Sequence, residues 1–125
     1  MNQKNIFTGI SIMMILQGIG IFALSGKIAL DSFPTLGSEG LSAVSEMATV
    51  VAVLYIGIGT ILHFTKSSPQ VVPGMAVLFG LLALNTMKHI FISGVVVPIP
   101  LFVLQILFFG SMVFLLTTAK KVQTA

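Results

Sequence analysis

Residues 71–91 read VVPGMAVLFGLLALNTMKHIF, apolar until Asn85 and then carrying Lys88 and His89 side by side. An α-helix needs about 20 apolar residues to cross a hydrocarbon core of about 30 Å. This run therefore has the length of a membrane span, and a cation within it calls for a physical reason. Three further runs of similar length, roughly residues 6–24, 47–64 and 99–118, account for most of the rest of the chain. None shows the strict polar/apolar alternation of a membrane β-strand. The expectation is an all-α integral membrane four-helix bundle, a single transmembrane domain over residues 1–125.

Composition points the same way. Of 125 residues, 56% are hydrophobic and only 7% are charged, against about 25% charged in a soluble domain. The natural solvent of such a chain is the lipid bilayer. A net charge of +3 is carried by six lysines scattered at the ends of apolar runs, with no arginine. That is not the basic stripe or aromatic platform of a nucleic-acid binder, so no nucleic-acid partner is expected. Cysteine is absent, which excludes disulfides, cysteine-ligated clusters and thiolate chemistry.

The connections differ. Residues 65–70 form a tight polar turn. Residues 92–98 form a short apolar one, with Gly94 as the expected helix stop. Pro69 and Pro73 precede or open the third run, and Pro98 and Pro100 the fourth, where a missing N–H costs little. The segment 25–45 is long, and its Ile28, Leu30, Phe33, Leu36 and Leu41 make it too apolar for a free loop. It reads as a segment lying on the membrane surface or packed over the bundle mouth.

With four spans, Lys4, Lys66, Lys120 and Lys121 share one side with both termini, and Lys27 and Lys88 lie on the other with Asp31, Glu39 and Glu46. Four lysines against two place both termini in the cytoplasm. Lys4, the first apolar run and Ala23-Leu24-Ser25 also resemble a signal peptide, but the run is longer than a usual signal core and contains Gln17. The first run is therefore expected to remain a membrane span, in a chain that crosses the membrane several times.

Depth along each helix, at about 1.5 Å per residue, brings the polar groups to one level. Asn85, Lys88 and His89 share a face near the outer end of the third run. Glu46 opens the second run at the same level. Gln105 lies just under two turns into the fourth run, Gln17 about two turns below the outer end of the first, and Tyr55 near the middle of the second. These seven residues are the candidate ligand-binding set, and each also has a structural explanation. Glu46 suits a first helical turn with Ser45 as N-cap. Lys88 can snorkel to headgroups. Gln17, Asn85 and Gln105 can be interhelical glue, worth about 0.6 kcal/mol each. Together they suggest a partly hydrated pocket in the outer half, suited to a quinone, a lipid headgroup or a small polar metabolite. No catalytic residue, metal site or obligatory cofactor is expected: His63 and His89 lie at opposite ends of the bilayer, and one His with one Glu is too few for a structural zinc site. Ala48 with Ala52 and Ala76 with Gly80 have the small-xxx-small spacing of close helix packing, with Gly57, Gly59 and Gly110 as further contact points.

The long first external segment, the opening Ser45-Glu46-Met47-Ala48, the pair Gly57-Ile58-Gly59 and the basic end of the third run before a short Gly/Pro loop resemble the DoxX-like family of small four-helix bacterial membrane proteins. The resemblance covers most of the chain. It departs at Met47, where that family commonly has arginine, and at Gln105, where it commonly has an acid. It implies a helical bundle in the cytoplasmic membrane and, in some members, partnership with a quinone-linked membrane oxidoreductase. The leading expectation is a non-catalytic accessory or ligand-binding subunit. Two others stand beside it: a homo-oligomeric transporter or channel, and a membrane enzyme acting on a lipophilic substrate with His89 or Glu46 as base.

Overall fold

The computed structural model describes residues 2–93 and 99–124, and among them there is no strand. Five α-helices follow one another: α1 Gln3–Ala23, α2 Ser25–Ser32, α3 Ser38–Thr65, α4 Val71–Lys88 and α5 Ile99–Thr124, with a π-helical turn His89–Ser93 after α4. The all-helical expectation holds. Among the described residues, three helices are long and apolar enough to cross a membrane: Gln3–Ala23, Ser38–Thr65 and Val71–Ile92. The apolar part of α5, Phe102–Thr118, is shorter. Large apolar side chains face outward on every one of these helices, Phe64 at 81% and Ile92 at 78% exposure among them. Such a surface is stable in lipid and not in water, so the protein is a multi-pass membrane protein. The expected stop at Gly94, and Pro98 with it, lie outside the described residues.

The chain divides into two compact units, Met1–Lys66 and Ser67–Ala125. In the first, α1 and α3 pair and α2 packs on α3. Asn2 caps α1, its side-chain oxygen accepting from the Asn5 N–H at 3.0 Å. The Gln3 amide donates to the Lys66 carbonyl at 3.3 Å, tying the start of α1 to the end of α3. That bond also satisfies a carbonyl left free where α3 ends.

The α1/α3 contact brings backbones together. A Cβ at Gly18 would lie 2.6 Å from Ile56 Cγ1 and 2.7 Å from the Ala52 carbonyl oxygen. A Cβ at Gly59 would lie 2.9 Å from both Ile15 Cγ1 and the Ser11 carbonyl oxygen. The Ser11 hydroxyl donates to the Gly59 carbonyl at 2.7 Å. Small residues therefore alternate across the seam in antiparallel order, Ser11 and Gly18 on α1 against Gly59 and Ala52 on α3. Lipid tails are as apolar as leucine, so close van der Waals contact and a buried hydrogen bond hold the helices, rather than hydrophobic exclusion. Gly20, Gly57 and Gly110, by contrast, have nothing within 4 Å of where a Cβ would stand. The expectation that Gly57 and Gly110 are points of close contact is corrected.

The segment 25–45 is also corrected. It is not one external stretch before a helix at residue 47. Leu24 turns the chain into α2, and α3 starts at Ser38 after an extended Gly37. Glu39 sits in its first turn, where the helix dipole favours an acid. Ser45 is thus not an N-cap, nor Glu46 a first-turn acid; both lie about two turns inside α3. At 28 residues α3 is about 42 Å long, more than a hydrocarbon core requires. Its first two turns carry α2, whose Ala29 is buried. The Ser45 hydroxyl donates to Ser25 Oγ at 3.2 Å, joining the start of α2 to α3. On the exposed side of α2, Lys27 pairs with Asp31 at 2.7 Å, a surface pair worth about 0.3–0.5 kcal/mol.

A double variant, Ser25→Cys with Ser45→Cys, tests the docking of α2. The two hydroxyls are 3.2 Å apart, close enough for small local shifts to bring two thiols together, and the natural chain has no cysteine. Mild oxidation should cross-link the double variant intramolecularly, seen as faster migration in non-reducing gels and reversed by reductant. No cross-link would show that α2 does not rest on α3.

In the second unit α4 packs on α5. Val72, Met75, Ala76, Phe79, Ala83 and Thr86 form the buried stripe of α4. Gln105, Phe108, Met112 and Leu115 answer it on α5. The Phe79 and Phe108 rings meet at 5.3 Å, tilted by 59°. The α-helical part of α4 ends at Lys88 rather than running regularly to residue 91.

Candidate functional site

The candidate residues divide between the two units. In the first, Glu46 is exposed on α3 and Tyr55 is half-buried a little over two turns further on. Gln17 is half-buried on α1, and its Oε1 is enclosed with no hydrogen-bond partner among the described residues. An enclosed acceptor without a partner costs about 1–3 kcal/mol. Gln17 is therefore not acting as interhelical glue through that oxygen.

In the second unit, Asn85 and Lys88 are exposed on α4. His89 falls on the π-helical turn, and its side chain lies outside the described residues. Gln105 is buried, at 6% exposure, and its Oε1 accepts from the Thr86 hydroxyl at 2.6 Å. Thr86 is equally buried. This bond closes the α4/α5 contact within a turn of Lys88. It commits the Gln105 carbonyl to the fold and makes Thr86 a structural polar residue that sequence reasoning passed over. The signal was present: Val72, Phe79 and Thr86 recur every seven residues, as one packed face of a helix requires.

Among the described residues, no three His, Cys, Asp or Glu side chains gather closely enough to hold a metal ion. His63 is exposed, with its ring edge-on to Phe64 at 5.8 Å.

The second unit also carries a groove of about 410 Å³ between α4 and α5. It is lined by Ala76, Val77, Gly80, Leu81 and Leu84 of α4 and by Phe109, Val113 and Leu116 of α5. Gly80 makes room for the neighbouring ring: a Cβ there would come within 3.1 Å of Phe109 Cε2. The groove is shallow and open and its lining is almost wholly apolar, so it offers a polar metabolite no hydrogen-bonding group but can take an apolar chain. Nothing in the sequence announced it, because its walls are residues that any lipid-facing helix carries.

Chemically, this site can bind an apolar chain and offer one cation and one amide beside it. Comparison with protein-family models, with curated proteins and with solved structures finds no match for this chain.

Proposed function

We propose that this chain is a non-catalytic accessory or ligand-binding subunit of a bacterial cytoplasmic membrane, with a lipid-like or quinone ligand. The observation that carries this reading is the carbon-lined groove between α4 and α5. The exposed Asn85 and Lys88 near the outer end of α4 give an amphiphile a polar anchor. The resemblance to DoxX-like proteins favours the same role and suggests a quinone-linked membrane oxidoreductase as partner.

In this reading the chain crosses the bilayer four times, with both termini cytoplasmic. The apolar part of α5, Phe102–Thr118, lies at the short end of the 17–25 residues that a crossing needs. Lys4, Lys66, Lys120 and Lys121 would then share the cytoplasmic side.

The test is purification of the full chain from its native membrane in mild detergent, with mass spectrometry of bound lipids, quinones and proteins. A lipophile or a membrane protein retained near stoichiometry is expected. A chain that retains neither, or a symmetric oligomer that conducts solute in liposomes, would overturn the reading.

A further inference from the structure

The groove and Lys88 lie on one face of α4. Val77, Leu81, Leu84 and Lys88 follow at steps of four, three and four, which keep one side of a helix. The first three line the groove, and the fourth sets an exposed ammonium one turn past its end. From Lys88 down to Ala76 the helix covers about 18 Å. One leaflet of hydrocarbon is about 15 Å, half of a core of about 30 Å. The groove with its cation therefore matches the length of one acyl chain with a headgroup above it.

The charge is one-sided. The second unit, from Ser67 onward, contains no Asp or Glu at all. Lys88 has no ion pair among the described residues. A lysine at this depth is stabilised by an anion, and its own unit provides none. Zwitterionic lipids carry a phosphate, but they also bring a cation that cancels part of the attraction.

We propose that the α4/α5 groove is a binding site for one anionic phospholipid. An acyl chain lies over Gly80 beside the Phe109 ring, and the phosphate meets Lys88, with the Asn85 amide adjacent. This rests on the reading of the chain as a binder of lipid-like ligands and names the ligand class.

The full chain is reconstituted in phosphatidylcholine vesicles. Phosphatidylglycerol or phosphatidylcholine, spin-labelled on the acyl chain, is added as a trace. The fraction of label held immobile by the protein is read by electron paramagnetic resonance. Wild type should hold phosphatidylglycerol about fivefold more strongly than phosphatidylcholine, the equivalent of about 1 kcal/mol for one lysine near an anionic headgroup. Lys88→Gln should remove that preference, lowering phosphatidylglycerol immobilisation more than that of phosphatidylcholine, and Lys88→Arg should keep it. Val77→Phe narrows the groove from an exposed position and should lower immobilisation of both lipids. Helical content and elution volume check that each variant is folded.

A preference that survives Lys88→Gln overturns the anionic site, and if Val77→Phe still acts, the groove remains a chain-binding site of another ligand. A Val77→Phe variant that holds both lipids as wild type does overturns the groove itself. In that case any phosphatidylglycerol preference lost with Lys88→Gln is only attraction to the membrane surface.

Discussion

A leucine in place of Gly18 or Gly59 separates α1 from α3, and alanine is enough to strain the contact. At both positions the atoms that a Cβ would meet include a backbone carbonyl oxygen, at 2.7 Å from Gly18 and 2.9 Å from Gly59. Backbone of a packed helix cannot swing aside as a side chain can, so the helices themselves must move apart. Overpacking of this kind costs about 1–3 kcal/mol for added methylenes in a tight core, and the Ser11 hydrogen bond to Gly59 stretches with it. Gly18→Ala and Gly59→Ala should each lower stability by about 1–3 kcal/mol, and the leucine variants should not keep the pairing. Gly20 and Gly57 supply internal controls two residues away. Nothing lies within 4 Å of a Cβ at either, so alanine there should be neutral or slightly stabilising through better helix propensity. The measurement is unfolding in mixed micelles followed by circular dichroism. Equal losses at Gly18 and Gly20 would show that the seam is not where the backbones meet.

This contrast also marks how far the sequence could be read. The pairs Gly18 with Gly20 and Gly57 with Gly59 are visible in the chain, but composition treats their members alike. Register decides between them, and register is set by which face of α1 meets which face of α3. The seven-residue spacing of Ser11 to Gly18 and of Ala52 to Gly59 was the usable sign, more than the four-residue spacing of Ala48 and Ala52. The existence of long apolar helices was legible because hydropathy is a sum over many residues. The start of α3 was not, because residues 25–45, too apolar for a free loop, read as one surface segment, whereas the turn ending at the extended Gly37 divides it between α2 and α3.

The candidate site shows the same division. Polar residues within the apolar helices were legible individually. Their partners were not: Gln105 spends its carbonyl on Thr86, and Gln17 leaves an oxygen enclosed without a partner. A groove of carbon is harder still to read, since a hydrophobic residue facing lipid and one facing a bound chain have the same sequence signature. What distinguishes them is a notch such as Gly80 beside Phe109, and a notch needs two helices in register.

Phe79→Ala should be the most damaging large-to-small change in the second unit. Phe79 is fully buried and stacks against Phe108. In a water-soluble core such a change costs about 3–5 kcal/mol, part of it the lost transfer of the ring out of water. Within a bilayer that part shrinks, because the unpacked ring still faces hydrocarbon. The cavity remains, at about 24 cal/mol per Å³, so a void of about 100 Å³ costs about 2 kcal/mol. Loss of the ring pair adds about 0.5–1.5 kcal/mol. The expected loss is therefore about 2–4 kcal/mol, read as a lowered unfolding midpoint in mixed micelles. Benzene should restore part of it, as a dry apolar cavity takes up such a molecule. Phe64, exposed at 81%, is the counterpart: its ring stands on the surface, and Phe64→Ala should change stability by less than about 0.5 kcal/mol. A loss at Phe64 as large as that at Phe79 would mean that protein, not lipid, covers the outer face of α3.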